Sequence, residues 1–371
     1  MLRCNILSIF LAFSLLAGAQ DWKVVRENPQ KTFPKTVTAG NYSGIAHLHD
    51  DIYAVVSDKS DSALYFNFRI QVNPKTGELE KVENLGFTER IDGTLNDGKP
   101  WLGQEKGFDH EAIVKVSDST LVIASEGYCR LKEYPILYTS ADAAKVGYPQ
   151  NLWECRWSSS DFYPNYNFES LAFDSVRQYL WTIPESTLRK DGQPATPQNG
   201  LANQLRLMRF DWGKMKEESS KKASRYMTAY AYQMDQPSTH KKADIYVMGV
   251  SELCVLPDGQ LLVLEREAFI PKIKIGAFCK CKLYLINPLN SDGFSMEEKF
   301  SADTPFLKKR LLTEWKTGLS LSKRSFANYE GMCLGPKLED GSQVVILLSD
   351  SQDQYAGVLK DWFKTIVIRK E

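Results

Sequence analysis

Short runs of strong β-formers, each bounded by polar turn residues, recur along the whole chain, and no long segment carries a helical period. Five of these runs share one form: a short strand, a turn, then a second apolar strand that closes on an acid. They are SGIAHLHDDIYAVVSD (43–58), DHEAIVKVSDSTLVIASE (109–126), FESLAFDSVRQYLWTIPE (168–185), SELCVLPDGQLLVLERE (251–267) and YEGMCLGPKLEDGSQVVILLSD (329–350). Pro257-Asp258-Gly259 and Glu339-Asp340-Gly341 mark clear turns in the last two. Each run therefore predicts a β-hairpin.

One or two further strands follow each hairpin. ALYFNFRIQV (63–72) and KVENLGF (81–87) complete the first unit; EYPILYTS (133–140) and LWECRW (152–157) complete the second. NQLRLMRFDW (203–212) and RYMTAYAYQM (225–234) serve the third, and CKLYLINP (281–288) and KKRLLTEW (308–315) the fourth. The fifth has only WFKTIVIRK (362–370) before the chain ends. Its fourth strand is expected from the N-terminal side, at DWKVVRE (21–27) or KTVTAG (36–40), because joining the two ends removes an exposed sheet edge. Repeated four-stranded antiparallel units predict an all-β fold, a β-propeller of five blades, or six if the stretch 186–249 hides another. The charged run KMKEESSKKASR (214–225) reads as a solvated loop, and no linker divides residues 20–371 into domains.

In a hairpin the start of the first strand and the end of the second lie at the same end. Glu111 is thereby paired with Glu126, Glu169 with Glu185, Glu252 with Glu265 and Glu267, and Glu330 with Asp350. In the first unit Gly44 takes the Glu position and Asp58 the other. Repeat symmetry would gather these acids at one mouth of a central channel. Like charges in a narrow channel repel unless protons or a cation neutralise them. Ca²⁺ suits such a ring of oxygen donors, so Asp58, Glu111, Glu126, Glu169, Glu185, Glu252, Glu265, Glu330 and Asp350 are the candidate metal ligands. The bland reading is that each acid caps loop amides or pairs with a nearby base. Lys59, Arg130, Lys132, Arg189, Lys190, Arg266 and Arg324 are interleaved with the acids and could hold an anion with the metal. His110 stands at a unit start, as an acid–base group or a structural histidine, whereas His47 and His49 fall at the opposite end and His240 in a loop.

Charge balance is neutral, with Lys+Arg and Asp+Glu at 46 each, and gives no reason to expect nucleic acid or an anionic membrane as partner. The N-terminal MLRCNILSIFLAFSLLAGAQ reads as a secretory signal peptide over residues 1–19, cleaved before Gln20, and is too short for a comfortable membrane span. The expectation is an exported, periplasmic or secreted monomer with no membrane span. Of the six remaining cysteines, Cys129 and Cys155 could pair or stay free; Cys254 and Cys333 sit in apolar strands, and Cys279-Lys280-Cys281 is a poor zinc motif. Asn41-Tyr42-Ser43 matches the glycosylation pattern. There is no G-x-S-x-G elbow, Walker A loop, G-x-G-x-x-G, H-E-x-x-H or EF-hand loop.

The phrases NFESLAF, VSELCVLPDGQLLVLERE and YEGMCLGPKLEDGSQVVILLSDSQ resemble the signature blocks of the family called esterase-like activity of phytase, from about Tyr42 to the C-terminus. The resemblance implies an exported propeller with phosphoester or carboxyl-ester hydrolysis, related in architecture to calcium-dependent propeller phytases. The dense phosphate-binding Lys/Arg pattern of true propeller phytases has no match here, and no catalytic motif can be carried over residue by residue. Two readings follow. One is a calcium-dependent ester hydrolase acting on a small anionic or ester substrate, with His110, Glu169 and Arg266 as the catalytic candidates. The other is a non-catalytic ligand- or protein-binding propeller whose acidic ring is structural.

Overall fold

The computed structural model describes residues 21–58, 65–87, 110–125, 130–135, 151–154, 159–164, 166–217, 223–322, 324–352 and 354–371. They form an all-β protein with five four-stranded antiparallel sheets among the described residues. β1 (Trp22–Glu27) precedes the first sheet, which holds β2 (Tyr42–His49), β3 (Ile52–Ser57), β4 (Phe66–Val72) and β5 (Leu79–Phe87). The second holds β6 (His110–Ser117), β7 (Thr120–Ser125), β8 (Arg130–Pro135) and β9 (Asn151–Glu154). The third holds β10 (Ala172–Asp174), β11 (Tyr179–Thr182), β12 (Gln204–Asp211) and β13 (Met227–Gln233). The fourth holds β14 (Ile245–Val255), β15 (Leu261–Ile270), β16 (Phe278–Ile286) and β17 (Lys309–Gly318). The fifth is β18 (Asn328–Lys337), β19 (Gln343–Asp350) and β20 (Phe363–Lys370), with β1 as its outer strand. β1 pairs antiparallel with β20 from Trp22↔Lys370 to Glu27↔Ile366, while residues 36–40 form no strand.

Each sheet alone would leave one apolar face wet, and the buried side chains show where that face goes. Five apolar clusters lie between successive sheets. Ile45 and Phe68 meet Val344 and Ile346; Ala54 meets Ile113 and Ile123; Val122 meets Phe168 and Met208; Trp181 and Leu205 meet Leu253 and Val263; Leu264 and Leu283 meet Met332 and Leu347. Fully buried residues such as Trp181, Phe68 and Leu205 each contribute roughly 1.5–3 kcal/mol of transfer free energy. The first strands also lie against one another in sequence, β2 on β6, β6 on β10, β10 on β14, β14 on β18 and β18 on β2.

The stretch 186–249 adds no further sheet among the described residues; it supplies β12 and β13 to the third. Trp212–Glu217 is a short helix, α1, that overlaps the start of the run expected as solvated loop. Asp211 Oδ1 accepts the Lys214 amide at 3.1 Å, an N-terminal cap, and Trp212 and Met215 are buried beneath it. No described helix is long and apolar enough to cross a membrane.

One irregularity repeats in every sheet. The pairing register shifts by one residue near the start of the first strand, between Tyr42 and Ile45, His110 and Ala112, Val250 and Glu252, and Tyr329 and Gly331. In the third sheet the bridge Phe168↔Pro184 followed by Ala172↔Trp181 gives the same shift. These are β-bulges, which bend a strand and re-aim the side chain of the extra residue.

Candidate functional site

Aligned on the bulges, the five units show which side chains are equivalent. Ser43, Glu111, Glu169, Ser251 and Glu330 take the bulged position. Facing them across the second strand are Asp58, Glu185, Arg266 and Asp350, paired through Asn41, Asn167, Gly249 and Asn328. The second unit's counterpart is Glu126, which lies outside the described residues. The sequence alignment needs correcting in two units. Ser43 rather than Gly44 stands at the bulge of the first. In the fourth, Ser251 and Arg266 hold the ring positions, not Glu252 and Glu265. A one-residue slip turns a side chain to the other face, and only the register reveals it.

Arg266 is the centre of the site. One terminal nitrogen, Nη2, donates to Glu169 at 2.8 Å and Glu185 at 2.7 Å. Nη1 donates to Asn328 Oδ1 at 3.0 Å and to Glu330. Three acids from the third and fifth units thus converge on one guanidinium from the fourth. The backbones crowd to allow it: a Cβ on Gly249 would lie 2.6 Å from the Glu185 carbonyl oxygen. Arg266 is 5% exposed and Glu185 1%, whereas Glu169 and Glu330 retain 11% and 12% of their side-chain surface. Solvent therefore reaches the cluster at Glu169 and Glu330.

Burial opposes the charge on Arg266, but Glu169, Glu330 and Glu185 outweigh it and hold the guanidinium protonated well above its usual range. One positive charge cannot neutralise three carboxylates. Burial, then the charge of Glu185, pushes Glu169 well above the usual carboxylate range despite Arg266. Burial likewise raises Glu330 to about 8, with Asp350 and Asp58 adding to the rise and Arg266 opposing it. At neutral pH the cluster carries protons on carboxyl groups.

The other ring members surround this centre. Glu111 is buried and accepts a hydrogen bond from Ser43 Oγ at 2.7 Å, joining the bulges of the first two units. Asp350 accepts the Gln352 amide at 2.7 Å and its side-chain amide as well. His110 is completely buried, so it meets no ligand at the surface. Tyr166, half-buried, is a neighbour that the sequence pattern did not single out; burial and then Glu185 push its hydroxyl up to about 12. Only its place just before Asn167 and Glu169 could have signalled it.

Glu252 and Glu265 do different work. Glu252 accepts the amides of Leu171 and Leu253, each at 3.0 Å, so one buried carboxyl ties the third unit to the fourth. Burial raises its pKa well above the usual range. Glu265 accepts from Tyr232 Oη at 2.6 Å and Lys309 Nζ at 2.7 Å, on the side facing the third unit. Glu267 accepts from Tyr246 Oη at 2.9 Å and the Ser238 amide at 3.0 Å.

Among the interleaved bases, Arg189 donates to the Phe162 carbonyl at 2.6 Å and Lys190 to that of Met296 at 2.5 Å. Lys59 and the side chains of Arg130 and Lys132 lie outside the described residues, as do Cys129 and Cys155. Cys254, Cys279, Cys281 and Cys333 are buried free thiols. Asn41 of the glycosylation pattern is 4% exposed and out of reach in the folded chain.

For calcium the donor chemistry is right, and Glu126, one of the expected ligands, lies outside the described residues. No group of three acidic, histidine or cysteine side chains is placed to hold a metal ion among the described residues. Glu169, Glu185 and Glu330 share the Arg266 guanidinium, which supplies a fixed cation among them.

No curated protein matches the chain. Among solved structures it is similar to the endo-arabinase of Bacteroides thetaiotaomicron, with 10% identity over 90% of this chain and 95% of that one and a TM-score of 0.41. It is similar also to a streptogramin B lyase (9% identity, 92% and 98% covered, TM-score 0.33) and to the Dos1 propeller (9%, 88% and 68%, TM-score 0.28). Likenesses this distant carry no argument about activity. The phytase-like family model, described as esterase-like activity of phytase, matches residues 37–352, and the chain belongs to that family.

Proposed function

We propose that the protein is an exported five-bladed β-propeller, closed on itself through the β1–β20 pair, that hydrolyses ester bonds at the Arg266 cluster. The five intersheet clusters and the run of contacts from β2 through β18 back to β2 support the closed architecture. The observation that carries the activity is a carboxyl group, Glu330, partly open to solvent and held at a pKa of about 8 beside a buried guanidinium and further acids. A general acid works best with a pKa near the working pH, and separated pKa values within one cluster divide the acid from the base. Protonated Glu330 would give its proton to the leaving oxygen as the ester bond breaks. Asp350 or Asp58, both close enough to raise Glu330, would take the proton of the attacking water. Arg266 positions the acids rather than the substrate, since both its terminal nitrogens are already engaged.

That last observation also favours a second reading, a binding propeller whose acids and arginine serve as an internal clasp. Release of phosphate from phytate and phosphomonoesters, and of p-nitrophenol from p-nitrophenyl acetate, separates the two. With calcium titrated from chelated to millimolar, turnover that is lost in Glu330→Gln and indifferent to calcium supports the acid–base site. Turnover that requires calcium moves the ring acids, Glu126 and Glu111 among them, to metal ligation. No turnover on any ester leaves the clasp. Export is tested separately, by the mass of the chain recovered outside the cell membrane.

A further inference from the structure

A sizeable cavity among the described residues does not lie within the cluster but beside it. It measures about 450 Å³, inside the range of about 300–1,000 Å³ typical of small-molecule sites, and Ile245, Ile270, Leu319, Phe326, Val358 and Leu359 line it. Topology puts it at the same end of the sheets as the ring. Ile245 begins β14 and Ile270 ends β15, the strands that carry Ser251 and Arg266, and the segment 352–359 follows directly from Asp350 at the end of β19.

Three observations mark this cavity as a built site. Ten large hydrophobic side chains are exposed among the described residues, and five of them, Ile245, Ile273, Ile275, Leu321 and Tyr355, sit on the segments that bound it. Among the described residues five other than glycine have a positive φ, and three of these, Lys274, Gln352 and Gln354, belong to the same bounding loops. Backbone in that region is costly and concentrates where a loop must hold a ligand. Gln352 is also one of the few polar side chains facing the cavity, and its backbone and side-chain amides both bind Asp350 of the ring.

We infer that this cavity binds the apolar part, an alkyl or aryl group, of a small ester whose polar end lies at the ring. The inference rests on the ester-hydrolase reading for the polar end but not for the cavity itself. Gln352 spans the two, so a ligand reaching from one to the other passes it. The site thereby prefers esters with an extended apolar group over small hydrophilic ones.

Calorimetric titration of the purified chain with n-alkylphosphonates from propyl to nonyl, below their micelle concentrations, reads the cavity without turnover, because the carbon–phosphorus bond resists ester hydrolysis. Affinity is expected to rise about two- to fourfold per added methylene. Val358→Trp, which fills the cavity, and Leu319→Asp, which makes it polar, are each expected to flatten that rise, while Val176→Trp at an exposed turn elsewhere leaves it intact. No rise in the native chain, or the same rise in both cavity variants, overturns the inference. Turnover without a chain-length rise sinks the cavity alone; a rise without turnover sinks the hydrolase reading alone.

Discussion

The fourth and fifth units make the same hairpin with the same bulge, yet they put opposite charges at its mouth. In the fifth, Glu330 and Asp350 occupy the two ring positions; in the fourth, Ser251 and Arg266 do. Five units each with an acid at both positions would leave a ring that could persist only with protons or bound cations. One unit of opposite sign supplies a fixed cation and removes two carboxylates. Symmetry builds the frame, and a break in symmetry makes the site. It also explains why the centre is lopsided: the acids of the units on either side, Glu169, Glu185 and Glu330, lean on the odd one out.

The sharpest way to break this contrast is to make the fourth unit neutral. Arg266→Leu strands three buried acids without a counter-charge and is expected to cost about 3–5 kcal/mol in urea unfolding at pH 7. The loss should shrink as the pH falls below 5. Glu330→Gln keeps the shape and removes the titrating proton, so ester turnover should fall by about a hundredfold or more. Folding should be intact, and stability above pH 8 should rise relative to the native chain. Glu252→Ala withdraws the acceptor from the Leu171 and Leu253 amides and is expected to cost about 1–3 kcal/mol with no change in the pH profile of turnover. That variant distinguishes the tie between units from the ring beside it.

The native chain itself carries a further test in the dependence of its stability on pH. Glu330 has a folded-state pKa raised from about 4.5 to about 8. Below pH 4.5 it is protonated folded and unfolded, and its contribution is fully present. As pH rises toward 8 the unfolded chain releases a proton that the folded chain retains, so stability drains through that window and levels off above it. Glu169, shifted in the same direction, adds to the decline. A melting temperature that climbs between pH 5 and 8 would contradict this.

The hairpins were legible because alternation and turn residues act locally: all five appear, and DWKVVRE supplies β1. Glu169, Glu185, Glu330 and Arg266 were legible as candidates and do meet. Their relation was not. Whether Glu252 or Ser251 stands at the mouth depends on a bulge that adds one residue, and no local pattern announces it. Glu252 and Glu265 look like ring acids along the chain, yet one faces amides of a neighbouring unit and the other Lys309. Arg266 looked like one of several interleaved bases because its role depends on acids 64 to 97 residues away. The apolar cavity was hidden for the same reason, being assembled from loops of two units.

The most direct test of the account is the ionisation of Glu330 itself. Carboxyl carbon NMR of the native chain, with Glu330→Gln to assign the signal, follows that group from pH 4 to 10. The expected result is a transition near pH 8 that vanishes in the variant, because one guanidinium cannot neutralise the acids gathered on it. A Glu330 transition near pH 4.5 would mean that the cluster is fully ionised at neutral pH and has no proton to give.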